Sequence, residues 1–324
     1  MVGMGRTNGK MRTSHRRRWY HPDVVRRALL LTVISAVAFG VMAYYAKVAT
    51  RTGLGGAEVA AVRFAFGLVP LLLVTRIRRA ALRWQRRDLL LYRGVFGGTA
   101  VLLYFLTIDH VPVGLATLLN YMAPVFSTVF AARFIGEPVR ARALPPLVLS
   151  LVGVLLVVRS NGGAGGTAPL ALAHAHVAAW SAVGLLSAIL SGAAVTAIRA
   201  ARRTESSWAV YTSMNAVGLL ATLPFALPGW RWPTSRGWAA LLGVGVFALI
   251  AQLLMTYAYR WVNNLQQGVL AQLAVFVAVV MGAAFLHEPL DAQSALGSLL
   301  TVACVIAVVA AAGGGAPAPA ALDS

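Results

Sequence analysis

The fold the sequence predicts is an all-α integral membrane protein, with ten transmembrane helices arranged as two inverted five-helix repeats. Three observations predict it. The first is composition. Of 324 residues, 59% are hydrophobic and 11% charged, with a mean hydropathy of +0.75. Soluble globules run nearer half apolar and a quarter charged, so a single chain could not hide this much apolar surface from water. The second is the recurrence of apolar runs long enough to cross a bilayer, at 28–49, 57–75, 88–108, 112–131, 143–159, 177–200, 207–228, 237–259, 266–286 and 292–312. The third is self-similarity. Asp88–Val158 laid without a gap on Ala239–Val309 gives 21 identities in 71 positions. Shared richness in Leu, Ala and Val would give about a tenth.

The chain opens with a basic, polar stretch, 1–27, holding Arg6, Lys10, Arg12, Arg16, Arg17, Arg18, Arg26 and Arg27. The first apolar run follows it without a small-residue cleavage site and reads as an anchor rather than a signal peptide. At an offset of 152, Ser35-Ala36 and Gly40 in that run fall on Ser187-Ala188 and Gly192 of the sixth, and Lys47 falls on Arg199. Each repeat therefore spans about 150 residues: 28–159, then 177–312, joined by a Gly-rich linker, 160–176, and closed by a tail, 313–324. Five spans per repeat is an odd number, so the second copy enters the membrane from the opposite side.

Cations report orientation. With the N-terminus in the cytoplasm, 21 Lys and Arg residues fall in the basic start, 76–87, 133–142, 199–203 and at Arg260, all inside. Five (Lys47, Arg51, Arg159, Arg231, Arg236) fall outside. That asymmetry is the positive-inside pattern, and it places both termini in the cytoplasm and the linker outside. It also accounts for the net charge of +19 without a polyanion, so no nucleic-acid partner is expected. All eight tryptophans lie within about a turn of a span end, as belt residues do. The one cysteine, Cys304, sits in an apolar run, which excludes a disulfide within the chain and a cysteine metal site. His174 and His176, in the linker without acidic neighbours, make a poor metal site, and no cofactor is expected.

Every Asp and Glu sits at a span end or beyond. Glu137 and Glu288 each precede a proline that opens the next helix, where a carboxylate satisfies free amides. Lys47 and Arg199 sit in the last turn of a first helix, where a cation suits the dipole. Asp109 and His110 share the turn between spans 3 and 4, which suits a proton relay or a plain solvated turn. Arg63 lies about six residues into span 2, roughly 8 Å by helix rise; it either snorkels to the interface or contacts an anion. Thr117, Asn120, Tyr121, Pro124 and Thr128 line one face of span 4, and Gln252, Thr256 and Tyr259 one face of span 8. Such stripes turn away from lipid, as glue between helices or as the wall of a cavity.

The paired signals Gly136-Glu137-Pro138 and His287-Glu288-Pro289, with Pro124 in span 4 and Val62-Arg63-Phe64 in span 2, resemble the drug/metabolite transporter superfamily, in its ten-helix form with two EamA domains. The resemblance runs from about Ala28 to Gly313. It implies export or exchange of small metabolites, without ATP, through a central cavity lined chiefly by spans 1, 3, 4, 6, 8 and 9. Small multidrug exporters of that superfamily trade protons for cations at an intramembrane Glu, and this chain has none. Two positions depart from internal symmetry: Val275 stands opposite Pro124, and His287 opposite Gly136.

The expected function is a multi-pass secondary transporter of the cell membrane for small polar metabolites such as amino acids. A polytopic membrane enzyme of the lipid-group transferase type is the alternative, but none of the six histidines is flanked by the acidic pairs that chemistry needs. The expected substrate site lies at mid-membrane between spans 4 and 9. Asn120, Tyr121 and Gln272 contact the substrate, Tyr44 and Tyr104 form aromatic walls, Gln252 and Thr256 line it from span 8, and Arg63 is the nearest cation. The offset of 151 sets Tyr121 opposite Gln272, and Pro124 frees backbone groups one turn away.

Overall fold

Residues 22–77, 85–135, 144–162, 170–201, 204–258 and 270–312 are described by the computed structural model. All the regular structure among them is helical, with no strand. In order these are α1 (Pro22–Arg51), α2 (Gly56–Ile77), α3 (Arg87–His110), α4 (Val113–Asn120), α5 (Ala123–Phe130), a π-helical turn (Ala131–Ile135), α6 (Leu144–Gly162), α7 (Leu170–Ala201), α8 (Ser207–Ala226), α9 (Ser235–Ala258), α10 (Leu273–Leu286) and α11 (Ala292–Ala312).

Among the described residues, six stretches are long and apolar enough to cross a membrane: Arg26–Arg51, Arg87–His110, Val113–Phe134, His174–Ile198, Trp208–Ala226 and Ser235–Met255. Val148–Val157, Leu273–Leu286 and Ala292–Ala307 are shorter apolar helices. The chain is therefore a multi-pass membrane protein. One boundary differs from the sequence reading: α6 runs on to Gly162 and α7 begins at Leu170, so helix enters the expected linker from both sides. The Leu-Ala-rich run from Leu170 favours helix strongly enough to carry His174 and His176 with it.

The helices are built inside out relative to a soluble bundle. On α1, Leu30 and Ile34 point outward, while Ala36, Ala43, Ala46 and Ala49 are buried with Gly40 among them. Lipid solvates leucine as well as a protein core does, so association rests on close approach of small residues and on interhelical hydrogen bonds. Gly40 shows how close: a Cβ there would lie 2.6 Å from the Cβ of Val277 on α10. Its repeat mate Gly192, on α7, would meet the Cβ of Phe126 on α5 at 2.7 Å.

Contacts between the halves come in matched pairs of this kind. α1 packs on α9 and α10; α7 packs on α3 and α5. The Ser35 hydroxyl donates to the Ala251 carbonyl at 2.8 Å, and the Ser187 hydroxyl to the Ala100 carbonyl at 2.7 Å. Ser35 and Ser187 are repeat mates, and so are Ala100 and Ala251. α2 packs on α8 and α6 on α11, each pair joining a helix to its own counterpart.

Candidate functional site

Span 4 of the sequence reading is not one helix. It breaks at Tyr121-Met122, between α4 and α5, and Pro124 follows in the first turn of α5, a position that tolerates a residue without an N–H. Its repeat mate also breaks: Gln272 stands in a turn immediately before α10. The breaks meet. The Gln272 side-chain amide donates to the Tyr121 carbonyl at 3.2 Å, across the sequence offset of 151.

Around this contact the sequence-predicted residues divide. Asn120, the last residue of α4, donates through Nδ2 to the Ser187 hydroxyl at 2.7 Å, joining α4 to α7. The Tyr104 hydroxyl lies 2.9 Å from Thr117 Oγ1, which itself donates to the Val113 carbonyl, so Tyr104 is fixed against α4. Arg63 is 6% exposed, so its charge faces the bundle and does not snorkel. It lies 5.3 Å from the centre of the Phe64 ring, with Tyr211, Tyr104 and Tyr121 within electrostatic range. Tyr44 packs edge-on against Tyr45 and Phe285, with ring centres 5.3 and 5.8 Å apart. Phe285 is largely exposed, which sets that aromatic group near the lipid side of α10. Gln252 is buried on α9. Thr256 lies on the same helix with its side chain outside the described residues, and Tyr259, Glu137 and the Arg199 side chain fall outside them too. Part of the span 4 stripe is spent locally, since Thr117 donates to the Val113 carbonyl at 2.7 Å and Thr128 to the Pro124 carbonyl at 2.9 Å.

Three residues near this centre escaped the sequence reading. Tyr211 and Asn215 stand four apart on α8, the Asn215 amide donating to the Tyr211 carbonyl at 2.9 Å. That i, i+4 spacing is the signal that marked span 4. Arg93, buried on α3 with Nη2 2.8 Å from the Met214 sulfur, sits as deep in its apolar run as Arg63 does in span 2, and the same depth test would have found it.

One end of the bundle, the one the cation asymmetry would set outside, is tied by charged groups to backbone. Lys47 donates to the carbonyls of Ile108, Asp109 and Val111 at 2.6, 3.2 and 2.8 Å; it therefore caps α3, whereas the sequence reading assigned it to the end of its own helix. Glu58 accepts from the Gly55 and Arg231 amides, both at 2.5 Å, linking the loop before α2 to the loop before α9. Asp109 accepts from the Gly56 amide at 3.1 Å. His110 stacks on Trp180 with ring centres 3.6 Å apart. Glu288 does not serve the helix that follows it, as the Glu-Pro signal suggested. Its Oε2 accepts from the Val113 amide at 2.8 Å, at the start of α4 in the other half, while Asp291 takes the Ser294 amide of α11 at 2.7 Å. His287 makes this possible. It adopts a left-handed conformation, φ 53°, that ends α10, with the His287 and Glu288 amides both donating to the Gly282 carbonyl. Arg51 donates to the Leu286 carbonyl at 2.8 Å and lies 3.9 Å from Glu288 Oε1. Burial pushes the Glu288 carboxyl above the ordinary glutamate range, against the opposing pull of Lys47, the Val113 amide and Arg51. A cleft of about 20 Å³, room for a single water, lies beside it between α4, α6, α10 and α11.

At the opposite end Glu205, before α8, accepts from the Arg86 backbone amide, before α3. It mirrors the Glu58–Arg231 contact. Among the described residues no group of three or more His, Cys, Asp and Glu is placed to hold a metal ion.

Comparison with known proteins bears on what such a bundle does. A sequence model of the EamA-like transporter family matches residues 26–159 and 178–310. The pseudopaline exporter CntI of Pseudomonas aeruginosa (strain UCBPP-PA14) is 29% identical over 287 residues, covering 88% of this chain and 97% of that one. Solute carrier family 35 member G1 of Mus musculus is 29% identical over 134 residues, covering 40% of this chain and 36% of that one. A solved chain titled "Crystal structure of protein" superposes with a TM-score of 0.61 at 18% identity, covering 87% of this chain and 96% of that one, a likeness of fold alone.

Proposed function

The chain belongs to the EamA-like transporter family, and from that premise we propose that it exports small polar metabolites, amino acids among them, by alternating access through a site on the axis between its two halves. That it is a secondary transporter and not an enzyme follows from the family and the named relatives, and the membrane-enzyme alternative falls with it.

The observation that carries the site is the hydrogen bond between repeat mates, Gln272 to the Tyr121 carbonyl, made where two equivalent helices are both interrupted. Two residues related by a two-fold axis can touch only on that axis. The contact of Thr301 with the Ser150 carbonyl, 3.4 Å across the same offset, supports the same axis between α6 and α11. Ten spans in two inverted repeats, 28–159 and 177–312, is the arrangement these pairings favour, and the cation asymmetry favours cytoplasmic termini in the cell membrane. In transporters so built, interrupted helices near the midplane present backbone groups and helix ends to the substrate. Here α5 and α10 begin at the break, and Asn120, Tyr121, Gln272, Tyr104 and Arg63 surround it. Tyr44, Gln252 and Thr256 join the lining when the halves move apart. The direction of transport rests on CntI being named an exporter. Opening to the outside requires release of the Glu288–Val113, Arg51–Leu286 and Glu58–Arg231 contacts, which fasten one half to the other at that end.

The test is amino-acid accumulation in everted membrane vesicles, with a C-terminal tag cleaved by added protease as the control for orientation. Asn120→Ala, Tyr121→Ala and Gln272→Ala are each expected to lower flux about tenfold, the loss of roughly one good hydrogen bond or ring contact. If all three keep wild-type flux and affinity, these residues are helix glue and the site is elsewhere.

A further inference from the structure

Arg63 carries buried polar atoms near the axial break that no contact accounts for. Its Nε and Nη1 atoms are buried without a hydrogen bond, and among the described residues it makes no ion pair. Arg93 on α3 has Nη2 on the Met214 sulfur, and the charged groups at the end of the bundle hold backbone. Lys47 spends its protons on three carbonyls and Glu58 its oxygens on two amides. Glu58 is also the only acid on α2, one and a half turns from Arg63, and it faces the loop before α9 instead. A guanidinium taken out of water without a counter-charge carries a large desolvation cost, and the Phe64 ring returns only part of it. A purely structural arginine at this position would have to compensate that cost with contacts, and the contacts are missing.

Its surroundings are those of a binding group. Tyr211, Tyr104 and Tyr121, on α8, α3 and the α4–α5 break, lie within electrostatic range of it, so elements of both halves surround one cation. The phenols of Tyr211 and Tyr121 offer hydroxyl donors, that of Tyr104 is held by Thr117, and the guanidinium offers a planar fork. A single fork with neutral donors matches a group carrying one negative charge on two coplanar oxygens. A phosphate dianion would call for more positive charge, and an organic cation would be repelled.

We propose that Arg63, walled by Tyr104, Tyr121 and Tyr211, binds one carboxylate of the transported molecule, so that the substrates are small carboxylic acids, amino acids included. This rests on the axial site proposed above: the carboxylate sits on Arg63 while Asn120 and Gln272 meet the rest of the molecule.

Thermal unfolding of the purified protein tests this, with acetate and glycine as probes against acetamide and glycinamide at equal ionic strength. The acids are expected to raise the unfolding temperature of the wild type by about 2 °C or more at tens of millimolar, and the amides not to. Arg63→Gln should lose the response to acids, with apparent affinity down at least about tenfold, yet unfold without ligand at the wild-type temperature or above, because a lone buried charge has been removed. Arg63→Lys should keep part of the response. A ligand-free Arg63→Gln protein that unfolds several degrees lower, with Arg63→Lys restoring the temperature but no response to acids, marks the arginine as structural and overturns the proposal. So does an equal response to acids and amides, or none to either in the wild type. The axial site fails separately, when Asn120→Ala and Gln272→Ala leave both flux and the acid response unchanged while Arg63→Gln abolishes them.

Discussion

The end of the bundle that holds Lys47 and Glu288 and the centre treat charge in opposite ways. At that end Lys47, Glu58, Asp109 and Glu288 each hold backbone groups, and two of the contacts cross from one half to the other. At the centre Arg63 is as deeply buried as Glu58 but holds no backbone group. Burial alone therefore does not tell a fastener from a binding group. What separates them is whether a backbone group is held. Fasteners hold one, even where Oε1 of Glu288 has no hydrogen bond, and should matter for stability, whereas Arg63 should matter for ligand.

The largest effect expected from breaking this contrast is at Lys47. Lys47→Met strips three carbonyls of a charged donor and should cost roughly 3 kcal/mol, read as a fall of several degrees in unfolding temperature, where Arg63→Gln costs nothing. Equal losses in the two variants would erase the distinction. Glu288 gives a smaller and pH-dependent effect. A carboxyl raised in the folded state contributes stability that is present below its ordinary titration range and lost as pH rises through the raised value. Glu288→Gln, which keeps an acceptor for Val113 but cannot ionise, should be at least as stable as wild type near pH 8, by up to about 1 kcal/mol, with the two converging on acidification. A gap that widened towards acid would show that Lys47 and Arg51 outweigh burial and hold the carboxylate charged. The smallest effect belongs to His287. A non-glycine residue in the left-handed region costs about 1 kcal/mol, so His287→Gly should raise stability by up to that amount without altering flux, unless the imidazole itself takes part at the outer end.

Much of this was legible in the chain itself. Hydropathy located the helices, because lipid tolerates no other way of satisfying the backbone. The repeat offset set Tyr121 opposite Gln272, and the structure joins the two by a hydrogen bond. Partners across the halves were not legible. A Glu-Pro signal points to the next helix in sequence, and nothing in the residues around Glu288 says that a left-handed His287 turns its carboxylate back onto α4. Arg63 was legible only as a choice between snorkelling and anion contact, which its depth in a helix leaves open and its orientation decides. Tyr211 and Asn215 were passed over on α8, although their spacing matched the stripe that singled out span 4.

The hydrogen bond from Ser35 to the Ala251 carbonyl carries a further consequence, in the order of synthesis. Ser35 reaches the membrane when the residue it needs is still 216 positions from being made. At elongation rates of about 5–20 residues per second, α1 waits on the order of 10–40 s for α9 to arrive. Through that interval its face of alanines, a glycine and a serine has no native neighbour, and Lys47 can cap α3 only once the third helix has followed. The first half must therefore be sheltered, by the insertion machinery or by provisional pairing, until the second half emerges. Substitutions that make the small-residue face of α1 larger or greasier should act first on the yield of inserted protein, before they act on transport.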